Sequence, residues 1–514
     1  MENNELRSEK LLKNALWSTI GYLAYALLGF ISRSIFVNQL GDAITGISTL
    51  FSNILSMLSM AELGFSGAIS MHLYKPLAEG DQRKVAALMN LYRNAYKLIS
   101  VTIFLMGMAI LPFVHLLIKN DAAIPYVKWY FFWYVLRTAL SYCYAYKGTL
   151  IAACQEEYRR TNIINLLLIL TTIAQILVLY FTASFTLYLV TATLGTLITN
   201  LLIQREGEKL YPYLETYKSE RVTPEERKNI FSYIKAASVN KISLSVKTAT
   251  DSMITSAFVN VVITGIVGNY VMVIGTVEKL LGFFFWNCSP AVGNLTATTD
   301  KRSQYATFLD LEYLAFWIYG FLSAGMLCVL TPFVRDIWIR QEDMVLGGST
   351  LFLLILNFFL IGTNFPATIF FEVLGLIQKM PYLNLLNVAI NLVVSLSLVP
   401  FLGVNGVYIG TVLSLALTTL PLTQYLVLRH HFDGAFRPYL WLYVRLFVLN
   451  ILATGGCMYV CTHILMTGLA GLVVKILLCT VLYNGIFLLF TCRTQQFQSL
   501  FTLLIRIVKR SKAA

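Results

Sequence analysis

Long charge-free runs dominate the pattern of apolar and polar positions. Residues 161–204 hold 44 positions without a charge, and residues 380–428 hold 49. A Lys, Arg or Asp at the centre of a membrane span costs about 2.5–3.5 kcal/mol, so such runs mark membrane-crossing segments. One crossing takes about 20 residues. Each run is too long for one crossing and fits two. The first breaks at Thr182-Ala183-Ser184 and the second at Pro400-Phe401-Leu402-Gly403, with Asn405-Gly406 just beyond, which is turn chemistry. The pattern predicts an all-α polytopic membrane protein of about fourteen transmembrane helices. They cover 16–37, 43–72, 94–118, 124–148, 161–181, 184–204, 231–258, 263–291, 312–334, 346–371, 382–401, 404–428, 440–464 and 468–491. Predicted spans 3, 4 and 7 carry internal charges or polar runs.

Composition agrees. Of 514 residues, 57% are hydrophobic and 13% charged, about half the roughly 25% of ordinary soluble domains. Soluble, collagenous, disordered and disulfide-rich secreted classes fail on these numbers, and little chain remains for a soluble catalytic domain. With the N-terminus inside, the cytoplasmic segments hold 28 Lys and Arg, the outer loops hold three and the spans hold eight. The positive-inside rule then puts both termini in the cytoplasm. That asymmetry accounts for most of the net charge of +13. The first span outruns a signal-peptide core and no A-x-A pattern follows it, so no cleaved signal is expected.

A repeat runs through the chain. Phe36-Val37-Asn38 and Ile44-Thr45-Gly46-Ile47 match Phe258-Val259-Asn260 and Ile263-Thr264-Gly265-Ile266 at offsets of 222 and 219. Glu62-Leu63-Gly64-Phe65 pairs with Glu278 through Phe283, and Leu88-Met89-Asn90-Leu91 with Phe308-Leu309-Asp310-Leu311. Four matches in one order at nearly one offset imply two parallel six-helix lobes. The expected domains are 1–204 (N-lobe), 205–230 (charged cytoplasmic linker), 231–428 (C-lobe) and 429–514 (two further helices and a basic tail). Parallel repeats with a site at their interface are a carrier architecture.

Polar groups in the spans are the candidate chemistry. Of the fifteen residues 238–252, ten are polar, so span 7 cannot face lipid on all sides. Asn240, Ser243, Lys247 and Asp251 share one helical face, and Lys247 and Asp251 are spaced to pair. The pair either neutralises itself inside the bundle or belongs to a wet cavity wall. Arg33, between Ser32 and Ser34, either snorkels to the outer interface or serves as a cavity cation. Glu62 and Glu278, at matched repeat positions, either pair with a nearby Lys, cap a helix break, or act in the cavity. Arg137 is accounted for by a hydrogen bond to a carbonyl within its lobe. Tyr126 to Tyr134 reads as an interfacial aromatic belt, with stacking of sugars as the alternative. Interior Arg33, Arg137, Lys241, Lys247 and Lys279 outnumber Glu62, Asp251 and Glu278, which leans toward an anionic substrate, and a phosphate would need Arg or Lys.

No Walker A sequence is present, so ATP is not the expected energy source. No metalloprotease or nucleophile motif appears, the outer loops are short, and an enzyme is not expected. The eight cysteines (143, 154, 288, 328, 457, 461, 479 and 492) show no metal or redox spacing. They read as small apolar residues, and neither cofactor nor metal is expected.

From the first span to the start of the third, the chain resembles the bacterial polysaccharide flippases. These are the O-antigen and capsule exporters of the multidrug/oligosaccharidyl-lipid/polysaccharide (MOP) superfamily. The residues that carry the resemblance are Arg33 through Gly41, Gly46, Ala61 through Ile69, Tyr74 through Ala78 and Leu88 through Arg93. The resemblance implies a V-shaped fold with a central cavity lined by spans 1, 2, 7 and 8. It implies export of an undecaprenyl-diphosphate-linked oligosaccharide from the cytoplasmic to the outer leaflet of a bacterial inner membrane. Cavity cations would hold the diphosphate: Arg33, with Lys241, Lys247 and Lys279 where relatives use arginine. A proton or sodium gradient would drive alternating access through Asp251, Glu62 or Glu278. Expected partners are the lipid-linked substrate, membrane lipids, and polysaccharide polymerase and assembly proteins, with no nucleic acid. The alternative is a drug-cation antiporter of the same superfamily, which would want acidic groups for its cargo.

Overall fold

The computed structural model describes residues 2–62, 65–119, 124–143, 145–154, 156–432 and 435–511. Side chains are described for these except at 2–24, 60, 61, 66–68, 233, 235–248, 377, 378, 503, 504 and 507–511. Among the described residues the chain is almost wholly helical and has no strand. It divides into two compact units, Met1–Gly265 and Ile266–Ala514. This division follows packing, whereas the repeat divides the chain by internal likeness.

The first unit begins with α1 (Glu2–Leu58), which joins predicted spans 1 and 2 through a kink at Gly41 (φ 77°, ψ −178°). A positive φ of this kind favours glycine, which has no Cβ to clash. Thr45 Oγ1 donates to the Gly41 carbonyl at 2.8 Å and steadies the turn. A 3₁₀ turn at Ser59–Glu62 then interrupts the helix before α2 (Phe65–Glu79). Next come α3 (Gln82–Ile110), α4 (Val127–Cys143), α5 (Ala145–Ala153), α6 (Glu157–Thr182), α7 (Phe185–Leu210), the short α8 (Tyr213–Thr216) and α9 (Pro224–Ile254). The turn between α6 and α7 falls where the sequence puts it: Ala183 is left-handed (φ 46°) and Ser184 caps α7 by accepting from the Leu187 N–H. Two apolar clusters hold the unit. One gathers Phe36, Phe51, Phe131 and Phe185, with Phe51 and Phe131 edge to face at 4.9 Å. The other gathers Leu88, Tyr92, Tyr96 and Leu150 with Ile230 and Ile234 of α9.

The second unit takes most of α10 (Val261–Trp286), then α11 (Ser289–Thr298), α12 (Lys301–Pro332), α13 (Gly348–Thr363), α14 (Phe365–Val373) and α15 (Met380–Leu402). It ends with α16 (Val404–Leu417), α17 (Thr419–His431), α18 (Phe436–Thr462), α19 (Gly468–Thr491) and α20 (Gln495–Ser511). Helix α12 is its centre, packed by α13, α18 and α19. Close approach is built in at Gly320, where a Cβ would stand 1.6 Å from Asn450 Oδ1, and at Gly362, where it would meet the Tyr319 ring at 2.0 Å. Small residues at such crossings are the usual device of membrane helices. The stretch expected to be a basic tail forms the amphipathic helix α20, tied down by Ser499 Oγ donating to Asp310 Oδ2 at 2.6 Å.

Ten helices among the described residues are long and apolar enough to cross a membrane, and they overlap predicted spans 3, 5, 6 and 8–14. Their outward faces agree. Helix α6 exposes Leu166, Leu170, Ile173, Leu177 and Phe181 at helical spacing. In water such a stripe would be an aggregation surface; in hydrocarbon it is the ordinary exterior, with backbone polar groups satisfied inside the helix. The chain is a multi-pass membrane protein.

Candidate functional site

The kink at Gly41 brings Arg33 to its partners. Arg33 and Thr49 lie eight residues either side of Gly41, so folding α1 back on itself sets them opposite one another. Arg33 Nη2 donates to Thr49 Oγ1 at 3.1 Å, and Thr49 Oγ1 donates to the Thr45 carbonyl at 3.0 Å. The guanidinium also sits 5.7 Å from the centre of the Phe36 ring, a cation–π distance. On the neighbouring α4, Tyr134 and Ser48 share a hydroxyl–hydroxyl hydrogen bond of 2.7 Å. One turn on, Arg137 Nε donates to Thr196 Oγ1 at 3.2 Å, a hydroxyl where the sequence led us to expect a carbonyl. Tyr134 and Tyr188 lie within electrostatic reach of both arginines. Two cations thus share one hydroxyl-rich cluster. The aromatic run feeding it is split between two faces: Tyr126 and Trp129 are exposed, whereas Tyr130, Phe131 and Tyr134 are core.

The polar helix α9 packs on α1. Asn53 Nδ2 of α1 donates to Ser252 Oγ of α9 at 2.6 Å. Beside it Asp251 is buried. Lys241 and Lys247 lie on α9, but their side chains, and so the expected Lys247–Asp251 pair, lie outside the described residues. Helix α9 ends in a π-turn at Thr255–Val259, where Lys119 Nζ donates to the Phe258 carbonyl at 2.9 Å.

The remaining candidates lie elsewhere. Glu62 stands in the 3₁₀ turn and accepts from Tyr96 Oη at 3.1 Å, in the second apolar cluster rather than near Arg33. Glu278 and Lys279 belong to the second unit, on α10, the first half-buried and the second exposed.

Sequence reasoning missed Glu312. Predicted span 9 starts at this residue, but α12 starts at Lys301, so Glu312 lies eleven residues along it, about 16 Å from its start. The residue is 1% exposed. Its Oε1 accepts from Tyr439 Oη at 3.1 Å, while the buried Oε2 has no partner among the described residues. The rings of Phe308 and Tyr439 lie 5.5 Å apart, and Phe370 packs on Phe308 at 5.2 Å. An isolated carboxylate in such surroundings costs several kcal/mol. The site therefore suits a carboxyl that carries a proton or a cation with it.

A basic recess lies where the charged linker docks on α3. Asn90 Nδ2 donates to the carbonyls of Tyr217, Lys218 and Glu220 at 3.2, 3.0 and 3.1 Å. The docked loop borders an open recess of about 510 Å³ lined by Arg93, Lys218, Arg221 and Arg227 against Glu220. The signal was the charge density of 205–230; its folding onto Asn90 was not readable.

No family model matches the chain. No curated protein matches it either. Solved structures do. The lipid II flippase MurJ, in an inward closed conformation, superposes with a TM-score of 0.69 at 12% identity, covering 92% of this chain and 98% of that one. A multidrug resistance MATE family transporter of the MOP superfamily, inward-facing, gives 0.60 at 15% identity over 84% and 98%. A MOP superfamily transporter from Pyrococcus furiosus, described as having a binding pocket of reverse polarity that suggests a different function, gives 0.53 at 15% over 85% and 95%. The chain has the fold of a MOP-superfamily transporter. Its structural neighbours of this fold are transporters rather than enzymes. At these identities the likeness carries the fold and leaves the cargo to the residues of this chain.

Proposed function

We propose that this MOP-fold protein is a polysaccharide-precursor flippase. In this reading it turns an undecaprenyl-diphosphate-linked oligosaccharide from the cytoplasmic to the outer leaflet of the bacterial inner membrane, for surface polysaccharide synthesis. The observation that carries it is the Arg33–Arg137 cluster, two guanidinium groups within reach of the same two tyrosines. Guanidinium forks match phosphate oxygens better than any other side chain. The basic recess of Arg93, Lys218, Arg221 and Arg227 adds a second anion-friendly surface, and one neighbour of this fold is itself a lipid II flippase. Transport runs by alternating access coupled to a proton or sodium gradient through Asp251, Glu62 or Glu278. Both termini are cytoplasmic, and polymerase and assembly proteins are the partners that receive the product.

A drug-cation antiporter is the second reading, favoured by the buried carboxyls Asp251 and Glu312. Deleting the gene in its native host separates the two. Undecaprenyl-linked glycan accumulating at the cytoplasmic face, with loss of surface polysaccharide and unchanged drug tolerance, is the expected result. Normal glycan on both faces with new drug sensitivity overturns the flippase. Complementation with Arg33→Ala should fail at wild-type membrane abundance; if export fails only in step with abundance, Arg33 is a structural residue.

A further inference from the structure

Four of the eight cysteines converge in the second unit. Cys328 comes from α12, Cys457 and Cys461 from α18, and Cys479 from α19, and all four are buried. The sulfurs of Cys328, Cys461 and Cys479 all lie within 4.8 Å of one another. Cys461 Sγ and Cys479 Sγ are 3.5 Å apart, and Cys457 Sγ stands 4.0 Å from the Cys479 carbonyl. The three helices are locked nearby, where Tyr483 Oη donates to Asn450 Oδ1 against the bare backbone of Gly320. The thiols are thus held by a rigid junction rather than by loops, as a preorganised site requires.

We propose that Cys328, Cys461 and Cys479 bind a thiophilic d¹⁰ cation as three thiolates. Zinc–sulfur bonds of about 2.3 Å in a tetrahedron put sulfurs about 3.8 Å apart, inside the spread seen here. Soft thiolates select Zn²⁺ or Cu(I), and charge chooses between them. Zn²⁺ with three thiolates carries one negative charge. Lys475, one turn before Cys479 on α19, lies within electrostatic reach of Cys461 and Cys479 and cancels it. Cu(I) with three thiolates leaves one negative charge uncancelled among buried side chains. Binding exchanges three thiol protons, released to water, for one Zn²⁺ and three Zn–S bonds. The ion would staple α18 and α19, the two helices outside the repeat, to α12.

The competing account is that the thiols pack only as small apolar side chains. Metal content decides. Full-length protein is purified in detergent under a non-chelating reductant, loaded separately with Zn²⁺ and with Cu(I), dialysed and assayed by mass spectrometry. One equivalent of Zn²⁺ retained by the wild type is expected, lost in Cys479→Ser and Cys328→Ser and kept in Cys288→Ser and Cys492→Ser. Alkylation of Cys328, Cys461 and Cys479 in the wild type should rise several-fold when a chelator is added, a readout that needs no variant to fold. Retention of Cu(I) but not Zn²⁺ would uphold the thiolate site and overturn the charge-balance choice. No retained metal, equal retention by Cys479→Ala, or a Cys461–Cys479 disulfide in the intact protein overturns the site.

Discussion

Replacing Gly46 by alanine should destabilise the protein, against the intrinsic preference of helices. Alanine in a helix interior is favoured over glycine by about 1 kcal/mol. At Gly46, however, a Cβ would stand 2.0 Å from the Val261 carbonyl oxygen and 2.7 Å from its carbon. Across the same crossing, a Cβ on Gly265 would meet the Gly46 nitrogen at 2.6 Å. Both obstacles are backbone, so no side-chain end can swing aside; the strands of chain must part by about 1 Å or more. Overpacking of this kind costs about 1–3 kcal/mol. The net expectation is a loss of up to about 2 kcal/mol, despite the propensity gain. Gly275 on α10 supplies the control, because nothing lies within 4 Å of its added Cβ. Gly275→Ala should raise stability by up to about 1 kcal/mol. Thermal unfolding of both variants in one detergent, followed by tryptophan fluorescence and by size-exclusion dispersity, reads the sign directly. If Gly46→Ala unfolds at a midpoint as high as Gly275→Ala, the close crossing is wrong and the argument with it.

Glu312→Ala should cost about 1–3 kcal/mol, because it strips the buried Tyr439 hydroxyl of its acceptor. Glu312→Gln keeps an acceptor and should stay near wild-type stability; if Glu312 carries the coupling ion, it should lose the gradient dependence of transport, and a wild-type gradient response removes Glu312 from coupling. Asn90→Ala leaves three linker carbonyls without their shared donor, so trypsin should cut at Lys218 and Arg221 several-fold faster; an unchanged rate means the linker is held by other contacts. Lys84 Nζ lies 2.6 Å from Glu226 and holds that carboxyl below the usual range. Its contribution is present above the unfolded value and lost as pH falls through the depressed folded one. Both side chains are more than a third exposed, so it is worth under about 1 kcal/mol. Glu226→Gln should therefore unfold slightly earlier than wild type at neutral pH and low salt, and alike in strong acid or 1 M salt.

Much of the fold was legible because the bilayer imposes a simple rule on sequence. A charge-free run of 44 residues has to cross twice, and Ala183 and Ser184 supply the turn that divides it. Where the rule stops, the reading stopped with it. Charge marks the edge of the hydrocarbon, and helices ignore that edge: α12 begins at Lys301, in a charged stretch outside the predicted span. Glu312, where the charge pattern starts the span, is a core residue eleven positions along the helix. Helix α3 likewise begins at Gln82, with Asp81 accepting from the Lys84 N–H as its N-cap, inside what the charge pattern made a loop.

Repeat positions proved a different kind of guide. Gly46 and Gly265 hold matched positions of the internal repeat, and the structure sets them against one another, a close crossing that the repeat itself did not announce. Glu62 and Glu278 are matched at nearly the same offset, yet one lies in a 3₁₀ turn bonded to Tyr96 and the other in the middle of α10. A glycine at a helix crossing answers to backbone geometry, which both halves of a repeat must share. A carboxyl answers to whatever packs beside it, which each half can change. Glu312 and the converging thiols make the same point more strongly, since Tyr439, Cys461 and Cys479 come from α18 and α19. Polar and thiol groups brought together by helices far apart in the chain leave no periodic trace, and that is why the buried Glu312–Tyr439 contact and the clustered thiols of the second unit were not legible in the sequence.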